Sequence, residues 1–306
     1  MGPMRNYLTE YRHELQRTFT GTSGTPPEWV PRLAEGNDAG YHLPGSAVWA
    51  VHGHVATIVA GIRVLLMQAL HPGALAGVYE HSGFQKDPLG RLANTVRWIF
   101  TVTYGSTEAA EAATARVRKI HERVRGTYVD GNGVLREYAA NDPELLRWVH
   151  VTYADSFITA NRIWGRPIPG GPDAYVREWA AAGRLMGVED PPLTEAQVRD
   201  ELEQWCASGI LRADERLAET VSFIRYPPLS PLLKPGYTIL FSAAVASLEP
   251  KYREMLGIRR AGIGPVPLPV ITAARAVLGM VRFALGSHGP SEQAARRRLQ
   301  RLGYAA

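Results

Sequence analysis

The chain has 306 residues, 45% hydrophobic and 21% charged, which excludes a disordered chain and a coiled coil and allows one core large enough to enclose a cofactor. A single cysteine, Cys206, excludes an intramolecular disulfide framework and any cysteine-rich zinc or iron–sulfur site. The formal charge of +5 is concentrated near the end, in Arg296, Arg297, Arg298 and Arg301. A solvated helix face explains that run, and no nucleic-acid partner is expected.

Residues 1–20, from Met1 to Thr20, carry charged and polar groups throughout and no apolar signal-peptide core. A cytoplasmic, reduced setting is therefore the expectation. Val55 to Val78 is apolar but broken by Arg63, Gln68 and His71-Pro72. A buried core helix suits it better than a membrane span, and the pattern predicts a helix over 48–70. Asp87-Pro88 opens a helix, Asp as N-cap and Pro in the first turn, that runs to about Tyr104 and stops at Gly105. Ser106 caps the next. Glu108 and Glu111 lie in its first turns, Lys119, Arg123 and Arg125 in its last, and Gly126 is its stop. Val129 to Leu135 reads as a small hairpin or a turn.

Asp142-Pro143-Glu144 opens a helix to about Trp164, and Thr194 to Gln197 reads as a capping box. Further helices are expected over 173–186, 236–248, 269–285 and 291–302. Ile271 to Leu285 is apolar but holds Arg275 and Arg282; with the basic tail it suits contact with a membrane surface. Proline clusters at 26–27, 167–172, 191–192, 227–235 and 265–269 mark loops. The reading is all-α, a single helical domain over 1–306.

Several motifs are missing. There is no G-x-S-x-G elbow, phosphate loop, dinucleotide fingerprint or H-E-x-x-H pair. Gly262-Ile263-Gly264-Pro265 lacks the third glycine of the fingerprint. Glu10-Tyr11-Arg12-His13 is one Glu-x-x-His where a di-iron bundle needs two, and His52-Gly53-His54 offers two ligands only.

What remains is a constellation on two neighbouring helices. Arg91 and Thr95 are four apart and share a face, with Asn94 beside them. The Gly105-Ser106 connection is tight, so the helices run antiparallel, and at ~1.5 Å per residue Arg91 and His121 reach nearly the same height. His121 lies on a stripe with Val117 and Val124. An imidazole there is either a haem ligand or a hydrogen-bonded core histidine. His150, in a seam with Leu146, Tyr153 and Phe157, carries the same two readings.

At these residues the sequence resembles the latex-clearing protein (rubber oxygenase) and MpaB-type oxygenase family. The matching text is Leu70-His71-Pro72-Gly73, Glu80-His81-Ser82 with Phe84, Asp87 to Leu92 with Thr95, and Tyr104-Gly105. It continues with Val117-Arg118 and His121, Arg125-Gly126, Asp142 to Leu145, Trp148-Val149-His150, and Tyr252-Arg253-Glu254. The resemblance covers about 43–258, which leaves 259–306 as a helical extension. It implies an all-helical, globin-like core around haem b, with His121 as the iron ligand, Arg91 and Thr95 as the distal pair, and Glu80 in the place of an acidic residue proposed as a base. Relatives oxidise carbon–carbon double bonds of isoprenoid chains with dioxygen. Rubber-cleaving members carry a lysine before the distal threonine; Asn94 stands there instead, which argues against rubber as substrate.

The expected function is oxidation of a hydrophobic unsaturated or aromatic molecule, in a pocket fed by Trp98, Phe100, Trp148, Phe157 and Trp164. The alternatives are a non-catalytic haem-binding or apolar-ligand-binding protein, and a haem peroxidase.

Overall fold

The computed structural model describes residues 3–22, 24–81, 83, 86–264 and 266–304, with side chains from Leu8 onward. Met1, Ser82, Phe84 and Pro265, named above, lie outside them. The chain runs α1 (Pro3–Thr20), α2 (Trp29–Arg32), α3 (Ala47–His52), α4 (Thr57–Ala69), α5 (Pro72–His81), α6 (Pro88–Tyr104) and α7 (Thr107–His121). A hairpin, β1 (Arg125–Val129) and β2 (Leu135–Ala139), leads to α8 (Pro143–Trp164), α9 (Gly171–Met186), α10 (Glu195–Ala207), α11 (Glu215–Arg225), α12 (Lys234–Ser247) and α13 (Pro250–Met255). A short ribbon, β3 (Gly262–Ile263) and β4 (Val266–Pro267), precedes α14 (Val270–Leu285) and α15 (Pro290–Arg301). Both strand pairs are antiparallel, and the described residues are otherwise helical or loop.

The core forms where α4 lies along α8. Val59, Leu66 and Met67 of α4 and Trp148, Val151, Ala154 and Ile158 of α8 are buried there. Arg63, which interrupts the apolar run, is buried too: it forms an ion pair with Asp155 of α8 and donates to Ser156 Oγ at 3.0 Å. A charge inside a core is tolerable only with such a partner. The chain then bends by 105° between α4 and α5. His71 caps the new helix, its Nδ1 accepting from Gly73 N at 3.1 Å. Among the described residues no single helix is long and apolar enough to cross a membrane.

Four expectations need correction. The helix over 48–70 is two, because His54 and Thr57 satisfy the chain locally: His54 Nδ1 accepts from Ala56 N at 3.1 Å and Thr57 Oγ1 donates to His54 O at 2.8 Å. The second helix of the pair ends at His121, not at Gly126, because 125–129 is taken into the hairpin. Gly126 faces Tyr138 across the ladder, and a Cβ there would lie 2.9 Å from the tyrosine Cε1. Val124 is thus beyond the helix and not on its stripe. The basic tail is not all a solvated face: Arg297 and Arg301 are exposed, but Arg298 is fully buried and donates to Leu33 O at 2.7 Å and Ala39 O at 3.3 Å. Finally, α1, α2, α5, α11 and α13 were not anticipated, although Asp214 caps α11 in the ordinary way, accepting from Leu217 N at 3.0 Å.

Candidate functional site

The site is built on the α6–α7 pair. Asp87 caps α6 by accepting from Gly90 N at 2.9 Å, and Ser106 caps α7 by accepting from Ala109 N at 3.3 Å. The one-residue gap after Gly105 makes the helices antiparallel. Trp98 Nε1 donates to Thr114 Oγ1 at 3.0 Å and fixes their register. About two turns beyond that bridge, in the direction of the hairpin, lie Arg91 on α6 and His121 at the end of α7.

Arg91 and His121 act on each other. Burial holds the His121 imidazole below its ordinary pKa; Asn141 opposes that shift and the Arg91 charge adds to it. Burial also lowers Arg91, whose guanidinium nonetheless stays charged. Arg91 Nη1 is buried with no hydrogen-bond partner among the described residues, and His121 Nδ1 and Asn141 Oδ1 are buried with no close partner but near enough to act on each other. Asn141, which follows β2, is anchored by its Nδ2 on Arg118 O at 3.0 Å. Unpartnered buried polar atoms are costly, about 1–3 kcal/mol each. Three on adjoining elements mark a place suited to a polar or metal-bearing group.

The other predicted residues are placed differently. Thr95 is exposed, and its hydroxyl donates to Arg91 O at 3.2 Å. The expectation that it shares the inward face is corrected: a threonine bonded to its own helix needs no buried partner. Asn94 is exposed as well. Glu80 sits in the last turn of α5 and is held by Arg216 at 2.8 Å and by the Tyr138 hydroxyl at 3.3 Å. Burial, with the Glu80 charge beside it, pushes the Tyr138 phenol up to about 12.

His150 is buried on α8 against Gly183 of α9, where a Cβ would come within 2.9 Å of its ring. Its Nε2 has no partner among the described residues. Burial, with Arg147 and Arg184 nearby, lowers it to about 4.

Below the Trp98–Thr114 bridge lies an aromatic floor. Trp98 meets Trp179 at 6.2 Å, Trp179 stacks on Tyr153 at 5.0 Å, and Tyr153 stacks on Phe157 at 4.0 Å. His52 joins it with Nδ1 2.7 Å from Thr103 Oγ1 and Nε2 3.0 Å from the Tyr175 hydroxyl. Thr103 spends its proton on Ile99 O, so it accepts from His52 Nδ1–H, and Nε2 accepts from Tyr175. His52 is thereby a neutral structural histidine. His42, stacked near Trp179, leaves a buried Nε2 unpartnered.

The five aromatics expected to feed one pocket do not converge. Trp98 and Phe157 belong to this floor. Trp148 lies with His71 and Trp205, Phe100 with Tyr104, and Trp164 donates to Ile271 O at 3.0 Å. Two surface cavities, of about 330 and 440 Å³, lie elsewhere, around Asn161 and Arg166 and around Arg184 and Asp190. Asn141, Trp179, Tyr175 and His42 escaped the sequence reading. The i, i+4, i+8 spacing of Tyr175, Trp179 and Gly183 on α9 was the available signal for the floor.

A buried imidazole and a charged guanidinium thus lie close enough to act on each other, at the end of α7 and on α6. The imidazole offers a lone pair to a metal; the guanidinium donates hydrogen bonds to an oxygen. A family model described as ER-bound oxygenase mpaB/B'/Rubber oxygenase, catalytic domain, matches residues 49–283. The match ends within α14, before α15. Neither the curated proteins nor the solved structures give a match.

Proposed function

The chain belongs to the family of ER-bound oxygenase mpaB and rubber oxygenase catalytic domains, and from that premise we propose a haem b-dependent oxygenase that uses dioxygen on a hydrophobic unsaturated or aromatic small molecule other than rubber. Oxygenase chemistry follows from the family. The haem and the substrate class are our reading, and one observation carries it: the buried, unpartnered atoms of His121 and Arg91 on adjacent antiparallel helices.

His121 is neutral because it is buried, so its free ring nitrogen suits haem iron. Haem would supply the oxygen chemistry that side chains lack. Arg91 keeps its charge and would donate from Nη1 to an oxygen atom brought beside it. Thr95, its proton spent on Arg91 O, can still accept a hydrogen bond and orient a water or a substrate hydroxyl. Asn94, an amide in place of the relatives' lysine, is a poor iron ligand. The aromatic floor under Trp98 gives an apolar molecule a surface to lie on and keeps water from beneath it.

His150 is the rival ligand, since its Nε2 is equally buried and unpartnered. Absorption spectra of protein made with added haem precursor separate the two. We expect a Soret band that shifts with carbon monoxide, lost in His121→Ala and kept in His150→Ala. Thr95→Ala should keep haem and lose most activity in oxygen-uptake assays with terpenoid or phenolic substrates. Full haem content in His121→Ala with loss in His150→Ala moves the ligand to His150. No Soret band in folded wild-type protein overturns the haem reading. Turnover with hydrogen peroxide and none with dioxygen would make the protein a peroxidase.

A further inference from the structure

No acidic residue occurs between Glu254 and Glu292, a stretch that carries Arg259, Arg260, Arg275 and Arg282. That stretch holds the β3–β4 ribbon and α14. Among the described residues the two most exposed large apolar side chains are both in it, Ile263 at 75% and Phe283 at 74%. Val266, Leu268 and Met280 are exposed beside them.

The pattern on α14 is ordered. Its inner face, Ala274, Val277, Leu278 and Val281, is buried against α12 and α1. Its outer face exposes Thr272, Ala276, Gly279, Met280 and Phe283, one continuous stripe at helical spacing. Arg275 and Arg282, seven apart, run along one edge of that stripe. Arg275 is steadied on Ile163 O at 3.0 Å. Arg282 and Arg166 both bear on His54, which brings a further cation to the same edge. A water-facing helix normally carries charges of both signs on its outer face; this one carries apolar groups bordered by cations alone.

We propose that the outer face of α14, with the β3–β4 ribbon at its start, docks on the surface of an anionic lipid bilayer. Met280, Phe283 and the ribbon side chains enter the boundary between headgroups and acyl chains, and Arg275 and Arg282 lie against lipid phosphates. A second copy of the chain is the less fitting occupant. Face-to-face pairing would bring two rows of arginines together with no carboxylate between them. The docking surface is distinct from the basic tail: Arg298 is buried and Arg296 is paired with Glu292 at 2.8 Å.

The test is flotation of the full chain with vesicles of phosphatidylcholine alone and with roughly 30% phosphatidylglycerol, at about 0.05 and 0.5 M salt. We expect binding to the anionic vesicles at low salt, at least tenfold weaker at high salt. Met280→Ser/Phe283→Ser should abolish it, and Arg275→Gln/Arg282→Gln should abolish the preference for anionic lipid. All four positions lie on the outer face or along its edge, and far-ultraviolet circular dichroism checks that the variants fold. Wild-type protein that stays unbound on both vesicle types overturns the proposal. So does undiminished binding by Met280→Ser/Phe283→Ser, or a dimer in sedimentation that this double variant dissolves.

Discussion

The acid sensitivity of this protein is set by histidines its core keeps neutral. Burial lowers His42, His71 and His150 to about 4 each and holds His52 well below its ordinary value. In the unfolded chain these rings take up protons near pH 6.5. Stability is therefore complete above about pH 6.5 and declines as the pH falls toward about 4, where the folded rings begin to titrate as well, by up to about 3 kcal/mol per ring. Thermal melts should show a lower transition at about pH 5 than at about pH 7.5. His42→Phe should flatten that slope, since a phenyl ring keeps the stack on Trp179 and removes an unpartnered nitrogen. A melting temperature constant across this range would contradict the neutral assignment. At this scale Arg91 and His121 were legible, because one tight turn and the helical rise fix their height. Asn141 was not: it reaches His121 from a loop beyond a hairpin, and no periodicity carries that information. The turn of the Thr95 hydroxyl onto its own helix was equally hidden, since a rotamer choice leaves no trace in spacing.

The element that most constrains the site is the hairpin, which ends α7 at His121 and delivers Asn141 beside it. The helix-stop reading of Gly126 was chemically sensible, because glycine ends helices. Here, however, the residue is glycine because Tyr138 packs over it. A Cβ would meet the Tyr138 Cε1 at 2.9 Å, its hydroxyl at 3.0 Å and Glu80 Oε2 at 3.2 Å. Gly126→Ala should therefore destabilise the protein by about 1–3 kcal/mol, read as a lower urea midpoint with an unchanged slope. A neutral result would mean that the buried Tyr138 ring moves aside. Caps and prolines marked α6, α8 and α10 closely, because those signals act within one turn. The break between α3 and α4 and the separate α5 were missed, because a continuous apolar run conceals where a buried helix bends.

On the scale of the whole molecule, the last helix braces the first turn of the helix that carries His121. Arg298 of α15 reaches the loop after α2 through Leu33 O and Ala39 O. Asp38 in that loop accepts from Thr107 N at 2.8 Å and from Thr107 Oγ1 at 2.9 Å, at the start of α7. Desolvation raises the Asp38 pKa, but the bonds from Thr107 and Gly40, with the Arg298 charge, bring it below the ordinary carboxylate value. Leu33, Trp49, Tyr104, Ala294, Ala295 and Leu299 close a second apolar cluster around the same contact. Composition alone does not divide the arginine run, whereas periodicity does: Arg298 falls on the stripe of Ser291, Ala294, Ala295 and Leu299, whereas Arg297 points away. The two neighbours make a controlled comparison. Arg298→Met should cost about 2–4 kcal/mol, since it strands two carbonyls that now accept from a charged donor. Arg297→Met should stay within about 0.5 kcal/mol of wild type. Urea melts of the pair decide it, and equal midpoints would show that α15 can be loosened without cost. A loss confined to Arg298→Met would mean that α15, although it lies beyond the span that defines the family, helps hold the first turn of α7 in place.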